Sequence, residues 1–286
     1  MPSFYDALRS SVEQIPGVIV SLLMCAGAFL ALAIAAKGMK RAFADGKAAA
    51  EETRINAILS AIDQFTVTPA LTLMAAAAGL AVRRFGLQMA EPGLWSAIGP
   101  VPTALTIVFV GDFLGYWRHR AQHSPWLWPA HAIHHSDTRL TWFSLERMHP
   151  VDRAGSMVDT IILATLGFPP WALGANVAVR HYYGYFIHAD VPWTLGRLGW
   201  LMNSPAMHRW HHARDIEGSG SNFATVFSVF DRLFGTYYQP GPCDRPLGVR
   251  EDMGRGAIGQ YLYPLRVWLR LEPAPQATPA TEVQSA

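Results

Sequence analysis

Eleven histidines lie in this chain, all of them between His119 and His212. Within that window they are patterned. The first group is His119 and His123, four residues apart. The second is His131, His134 and His135. The third, His208, His211 and His212, repeats the spacing of the second. On a helix, residues three and four apart share a face. Each group is therefore expected to aim its imidazoles one way, and eight rings converge, with His188 as a ninth. One metal ion uses four or five nitrogen ligands. Two ions use the whole set and leave positions open for oxygen or water. No carboxylate sits inside the groups, so the helix-bundle pattern of Glu with Glu-x-x-His is absent. Imidazole also suits zinc, copper and nickel, so ligand type alone does not identify the metal. His149 and His181 stand apart and read as structural residues or supports. Asp112, His149 and Asp231 are the candidates for orienting ligand rings through a second hydrogen bond. Asp112 has a competing role, pairing with Arg118 or Arg120, and Asp231 could instead order the turn at Gly235.

The elements that position these histidines read as membrane helices. Hydrophobic residues make up 51% of the 286 and charged residues only 15%, where a soluble domain carries about 25%. Residues 17–36 are nearly all apolar and long enough for a span. Residues 66–82 form a second, with Pro69 early in it, and residues 95–117 a third. The apolar stretch 157–179 contains Pro169-Pro170, which a straight helix does not tolerate. It reads as a hairpin of two short helices or a re-entrant segment. Either returns the chain to the side it left, so that histidines before and after it can meet. Basic residues favour the cytoplasmic side. Lys37, Lys40, Arg41, Lys47 and Arg54 follow the first span, and Arg118, Arg120, Arg139, Arg147 and Arg153 follow the third. These two regions are separated by two spans, so both fall on the cytoplasmic side together with the histidines. No basic stretch precedes the first apolar run, which argues against a cleaved signal peptide. Residues 273–286, rich in Pro, Ala and Thr, read as a disordered tail. Cys25 and Cys243 support neither a disulfide framework nor an iron–sulfur centre. The net charge of +2 does not suggest a nucleic-acid partner.

The motifs resemble those of the fatty acid hydroxylase/sterol desaturase superfamily. Asp112-Phe-Leu-Gly-Tyr-Trp-Arg-His119-Arg-Ala-Gln-His123 resembles its first histidine box, and His131-Ala-Ile-His-His135 its second. Arg147-Met-His-Pro150 is similar to a short motif that follows. Phe186-Ile-His188-Ala-Asp resembles the isolated downstream histidine. Ser204-Pro-Ala-Met-His208-Arg-Trp-His-His212 resembles the last box, and Phe230-Asp-Arg-Leu-Phe-Gly-Thr236 the closing motif. The resemblance runs from about 110 to 238, in order. It implies an all-α fold, an integral-membrane bundle of about four spans with a cytosolic helical cap that holds a dimetal site. It implies two iron ions, replaceable by zinc, O2 as cosubstrate, and hydroxylation or desaturation of a lipid-like substrate. The implied ligands are His119, His123, His131, His134, His135, His188, His208, His211 and His212. Some lipid hydroxylases of the family carry a further histidine four residues before the isolated one; here that place holds Gly184. The organisation expected is 1–94 for N-terminal membrane helices, 95–240 for the histidine-box domain and 241–286 for a C-terminal segment.

The chain has no Gly-x-Gly-x-x-Gly loop and no cluster cysteines, so electrons are expected from a separate donor, a ferredoxin or cytochrome with an NAD(P)H reductase. Two other functions use the same histidines. A dizinc membrane hydrolase would activate water with them. A metal transporter would need its ligands at mid-bilayer depth, whereas these lie at the end of the third span and beyond.

Overall fold

In the computed structural model, which describes residues 3–91, 93–214, 220–254 and 256–273, the chain is built from helices, with no β-strand among the described residues. The tail expected from 273 onward lies, but for its first residue, outside the described residues. Helix α1 (Phe4–Lys37) starts at a reciprocal cap in which Ser3 and Asp6 satisfy each other's backbone N–H. It ends at Gly38, whose φ of 81° no side-chain-bearing residue adopts cheaply. Helices α2 (Met39–Ala48) and α3 (Ala50–Ile62) follow.

Helix α3 does not stop before the second apolar run. It passes through one π-helical turn, Asp63–Val67, into α4 (Thr68–Arg84). The wide turn accommodates Pro69, which has no N–H and would crowd the carbonyl four residues back. The apolar run 66–82 is thus the distal part of a longer rod. Among the described residues two helical stretches are long and apolar enough to cross a membrane, Phe4–Lys37 and Ala50–Arg84.

The expected third span, 95–117, is not one helix. Gly99, with φ 85°, and Pro100 divide it into α5 (Leu94–Ile98) and α6 (Pro100–Gln122). The segment around Pro169-Pro170 is a hairpin. Helix α8 (Pro150–Thr165) ends, the chain turns through Gly167 (φ 84°), and α9 (Pro170–His188) begins on a proline that needs no N–H partner. Both arms pack on α6. The hairpin therefore brings His149 and His188 back to the end of α6 that carries His119.

Helices α6 and α9 approach closely because α6 presents Gly111 and Gly115 one turn apart. A Cβ at Gly111 would fall on the side chain of Asn176, and one at Gly115 on the guanidinium of Arg180. The remaining helices are short: α7 (Trp128–His135), α10 (Pro205–His211) and α11 (Val229–Leu233). Helix α12 (Gly256–Trp268) closes one side, packing Ala257, Tyr263 and Val267 with Ile55 and Leu59 of α3 and Ile133 of α7.

Gly111→Val should destabilise the protein by about 1–3 kcal/mol, because Asn176 is buried and short and has nowhere to go. Gly174→Ala on the neighbouring helix has open space at its Cβ and should leave thermal stability unchanged. Paired thermal-unfolding measurements in detergent check the contrast.

Candidate metal centre

Nine of the eleven histidines meet in the interior, in two groups. His119, His123, His131, His135 and His211 form one, and His134, His188, His208 and His212 the other. Within each group one ring nitrogen per residue lies within 4.8 Å of all the rest. Seven of the nine are at most 3% exposed. The groups abut, with the His135 and His212 rings stacked at 4.3 Å between centroids.

The two His-x-x-His-His boxes are each split between the groups, rather than aiming one way. His131 and His135 go to the first group and His134 to the second; His208 and His212 go to the second and His211 to the first. The reason is helical. Residues four apart are nearly eclipsed, whereas adjacent residues diverge by about 100°. Two short helices, α7 and α10, thus each supply two rings to one group and one to the other.

In four of the nine rings a backbone carbonyl holds the nitrogen that faces away from the groups. His119 Nδ1 is 2.8 Å from the Phe223 oxygen and His211 Nδ1 is 2.6 Å from that of Ser221. His134 Nδ1 is 3.2 Å from the Arg147 oxygen and His188 Nδ1 is 2.7 Å from that of Gly184. A carbonyl only accepts, so each of these Nδ1 atoms carries its ring's proton. The Nε2 atoms are then bare lone pairs. Those of His134 and His188 face each other at 3.1 Å. His208 Nε2 lies 3.0 Å from that of His188 and 3.1 Å from that of His212.

Two facing lone pairs repel unless a cation lies between them. Two nitrogens bound to one ion at about 2.0–2.1 Å, at angles from square to tetrahedral, are about 2.9–3.4 Å apart; the observed separations fall in that range. In the first group the Nε2 atoms of His119, His123, His131, His135 and His211 are buried and have no hydrogen-bond partner. The residues fit a pair of metal ions, and the donor set is all nitrogen.

Protons do not substitute for the metal. Burial, with the neighbouring imidazoles adding to it, holds His131, His135, His208 and His212 well below the usual histidine value. Burial pushes His211 down to about 3. The rings are neutral at pH 7 and available as ligands.

Comparison with known proteins agrees with this geometry. The family model for fatty acid hydroxylase matches residues 104–236. An ornithine lipid hydroxylase of Rhizobium tropici is 29% identical over 176 residues, covering 57% of this chain and 51% of that protein. An alkylglycerol monooxygenase of Danio rerio is 31% identical over 168 residues, covering 57% of this chain and 37% of that protein. Over residues 104–236 the chain is thus similar to fatty acid hydroxylases, in the same stretch that carries the histidine groups. It spans about half or less of the length of these curated relatives. No solved structure matches it.

The matched domain carries residues whose roles differ from expectation. Asp112 touches no histidine and neither Arg118 nor Arg120. Its carboxylate accepts the backbone N–H groups of Thr225 (3.1 Å), Val226 (3.0 Å) and Phe227 (2.8 Å) and lies 3.4 Å from Arg180. Asp231 accepts from the N–H of Phe223 (2.7 Å) and of Ala224 (3.1 Å), and from the Thr236 hydroxyl. The two acids therefore clamp the segment 223–227, whose Phe223 carbonyl orients His119. They act on the site through the backbone, because an extended loop lies between them and the rings. His149 is the N-cap of α8, accepting from the Val151 N–H, and belongs to neither group. His181 lies against Tyr185, with its Nε2 3.6 Å from Glu146. A Cβ at Gly184 would fall 2.9 Å from the Leu145 side chain, so a histidine at that position would require Leu145 to shift.

Sequence reasoning missed Asp152. Its carboxylate lies 3.6 Å from His131 Nδ1 and takes a 2.6 Å hydrogen bond from Gln122. Burial raises this carboxyl to about 7, and a cation on the His131 ring would pull it back down. The signal available was an acid in the first turn of a helix that Pro150 opens directly after His149. It also missed Arg147, which is not solvated. Arg147 is wholly buried, paired with Glu52 at 2.7 Å, while its carbonyl holds His134.

Asp152→Asn should weaken metal retention about 10–100-fold, read by metal content after graded chelation. A pH effect follows from the histidines. Their folded-state values lie below the unfolded value of about 6.5, so between the two the unfolded chain binds more protons. The stability they contribute is full above about pH 6.5 and falls away as pH drops toward about 3, the value for His211. The thermal midpoint of metal-depleted protein should therefore rise from pH 5 to pH 7. A flat profile would count against neutral, buried rings.

Proposed function

We propose that this chain is a membrane-bound dimetal oxygenase that uses O2 to hydroxylate, or desaturate, an unactivated C–H bond of a lipid-like substrate. The observation that carries this reading is the pair of abutting all-imidazole groups with facing, unprotonated nitrogens. In this reading His119, His123, His131, His135 and His211 hold one ion, and His134, His188, His208 and His212 the other. The family favours iron, which supplies oxygen activation and one-electron chemistry when bound; zinc in the same ligands would leave the site without redox chemistry. Electrons come from a separate donor, a ferredoxin or cytochrome served by an NAD(P)H reductase.

The residues of the chain do the positioning. Backbone carbonyls at 147, 184, 221 and 223 fix which nitrogen of His134, His188, His211 and His119 is bare. Asp152 borders the free edge of His131 and raises its basicity when bound to a cation. Asp112 and Asp231 keep the segment 223–227 in place. The near-complete burial of the rings excludes bulk water, which protects a reactive site from side reactions.

The membrane reading extends the two apolar rods to about four crossings, with α6 and the α8–α9 hairpin as the others. The histidine groups then form a cap on the cytoplasmic side. Outward-facing Val101, Leu105 and Phe109 on α6 and Val158 and Ile162 on α8 are exposed apolar residues, as lipid-facing walls require. The ornithine lipid and alkylglycerol enzymes among the relatives support a lipid with a polar head as substrate.

Lipid extracts of cells with and without the gene, grown under 18O2, test the proposal by mass spectrometry. A lipid gaining one 18O in a gene-dependent way is the expected result; a loss of two hydrogens without label would identify desaturation. His211→Ala should abolish the change and lose metal, while His181→Ala keeps both. A gene-dependent product that forms equally without O2 would overturn the oxygenase reading in favour of hydrolysis.

A further inference from the structure

A cavity of about 1040 Å³ lies outside the histidine groups, and none of the histidines lines it. One wall is a single stripe of α1: Ile19, Leu23, Ala26, Phe29, Leu30 and Ala33. That stripe is about 21 Å long at 1.5 Å per residue, the scale of most of an extended acyl chain. Facing it, Trp142 stacks on Phe29 with 5.5 Å between ring centroids. Ile19 and Leu23 are 51% and 67% exposed, so the apolar end opens outward along the face of a helix that passes for a membrane span.

The other end is charged. Lys37, Arg41, Arg139, Arg209 and Arg245 line it, against Asp45, Asp190 and Asp244. Part of this charge is a fixed network. Lys37 pairs with Asp45 and Asp190, Asp190 also lies 3.3 Å from Arg209, and at the exposed edge Arg41 pairs with Asp45 at 3.0 Å and Arg245 lies 3.7 Å from Asp244. The cations outnumber the acids, so the rim has positive charge in excess of its own acids. Apolar stem, polar end and net positive rim follow one another along one continuous surface.

We infer that this cavity is a binding site for an acyl lipid with an anionic headgroup. The acyl chain lies along the α1 stripe against Trp142, and the phosphate or carboxylate of the head sits between Arg41 and Arg245. Such a ligand matches both halves of the cavity. A neutral lipid leaves the rim's excess of positive charge unmatched, and a free anion leaves the apolar stem unfilled. The site abuts the four-histidine group through the backbone, since Ala189 and Arg209, which line it, directly follow His188 and His208. The inference draws on the membrane reading of α1 for the route of entry and not on the metals.

The test is retention of defined lipids by the full chain in detergent, with and without metal depletion, read by mass spectrometry. The probes are a phosphatidic acid, the diacylglycerol of the same chains, and inorganic phosphate as competitor. Phosphatidic acid should be retained at least about tenfold more tightly than the diacylglycerol, and millimolar phosphate should not displace it. Arg41→Gln combined with Arg245→Gln should erase the preference while leaving the protein folded, since both residues sit at the rim. Ala26→Trp should abolish retention of both lipids by filling the stem. Equal retention of the two lipids, displacement by phosphate alone, or an unchanged preference in the double variant would overturn the inference. Retention is read without turnover and without metal. Failure of the oxygenase reading therefore leaves the result standing, and failure here leaves oxygenation untouched.

Discussion

The structure is organised around a repulsion. The Nε2 atoms of His134 and His188 both carry lone pairs and are held 3.1 Å apart, with those of His208 and His212 strung beyond them in the same dry interior. The rings of His134 and His188 are locked in this unfavourable tautomer by a carbonyl behind each. Leaving a buried polar atom without a partner costs about 1–3 kcal/mol, and the nine rings multiply that cost. Protonation would relieve it in water, but burial opposes a charge there. A metal cation is the remaining partner. The rest of the fold reads as the frame that holds these nitrogens at ligating distance: glycines that let α6 and α9 close, two acids that pin the segment 223–227, and a buried Arg147 that ties α12 and α3 to the turn behind His134.

The histidine boxes were legible in the sequence because ligation demands one residue type at helical spacing, and few other constraints do. The order of the boxes and the hairpin at Pro169-Pro170 were legible for similar reasons, one chemical and one steric. The division of each box between two groups was not. It depends on how α7 and α10 are rotated about their axes, which is set by packing of Ile133, Met207 and Trp210 rather than by the histidines. Asp112 looked like a partner for a ligand ring because a buried acid near a histidine box invites that role. Its true partners are three consecutive backbone N–H groups from a segment more than a hundred residues away, and such pairing leaves no mark on local sequence. Asp152 escaped notice for the opposite reason. An acid in the first turn of a helix has an ordinary explanation in the helix dipole, which hides a second role.

The span boundaries show the same limit. Apolar composition located the membrane-like stretches 17–36 and 66–82, yet the helices that contain them run from Phe4 to Lys37 and from Ala50 to Arg84. Composition marks where a helix is apolar and not where its hydrogen bonding ends. At Pro69 a π turn carried the helix through a residue that usually breaks one, while at Gly99-Pro100 the chain did break, because glycine there takes a positive φ. Both are proline effects, and the residue on its N-terminal side decided between them.

The positions of the acidic clamps separate two jobs that the proposed oxygenase site must combine. Rings that bind a metal need to be immobile, yet a substrate must come close to the metal and leave. Here immobility is supplied by backbone: carbonyls from three separate segments, one of them fixed by two carboxylates that never touch a ring. Among the described residues, Asp152 is the one carboxylate within 4 Å of any of the nine rings. A site fixed from the backbone keeps its ligand geometry when neighbouring side chains change. Residues around the cavity beside α1 can then vary in size and charge without disturbing the geometry of the histidine nitrogens.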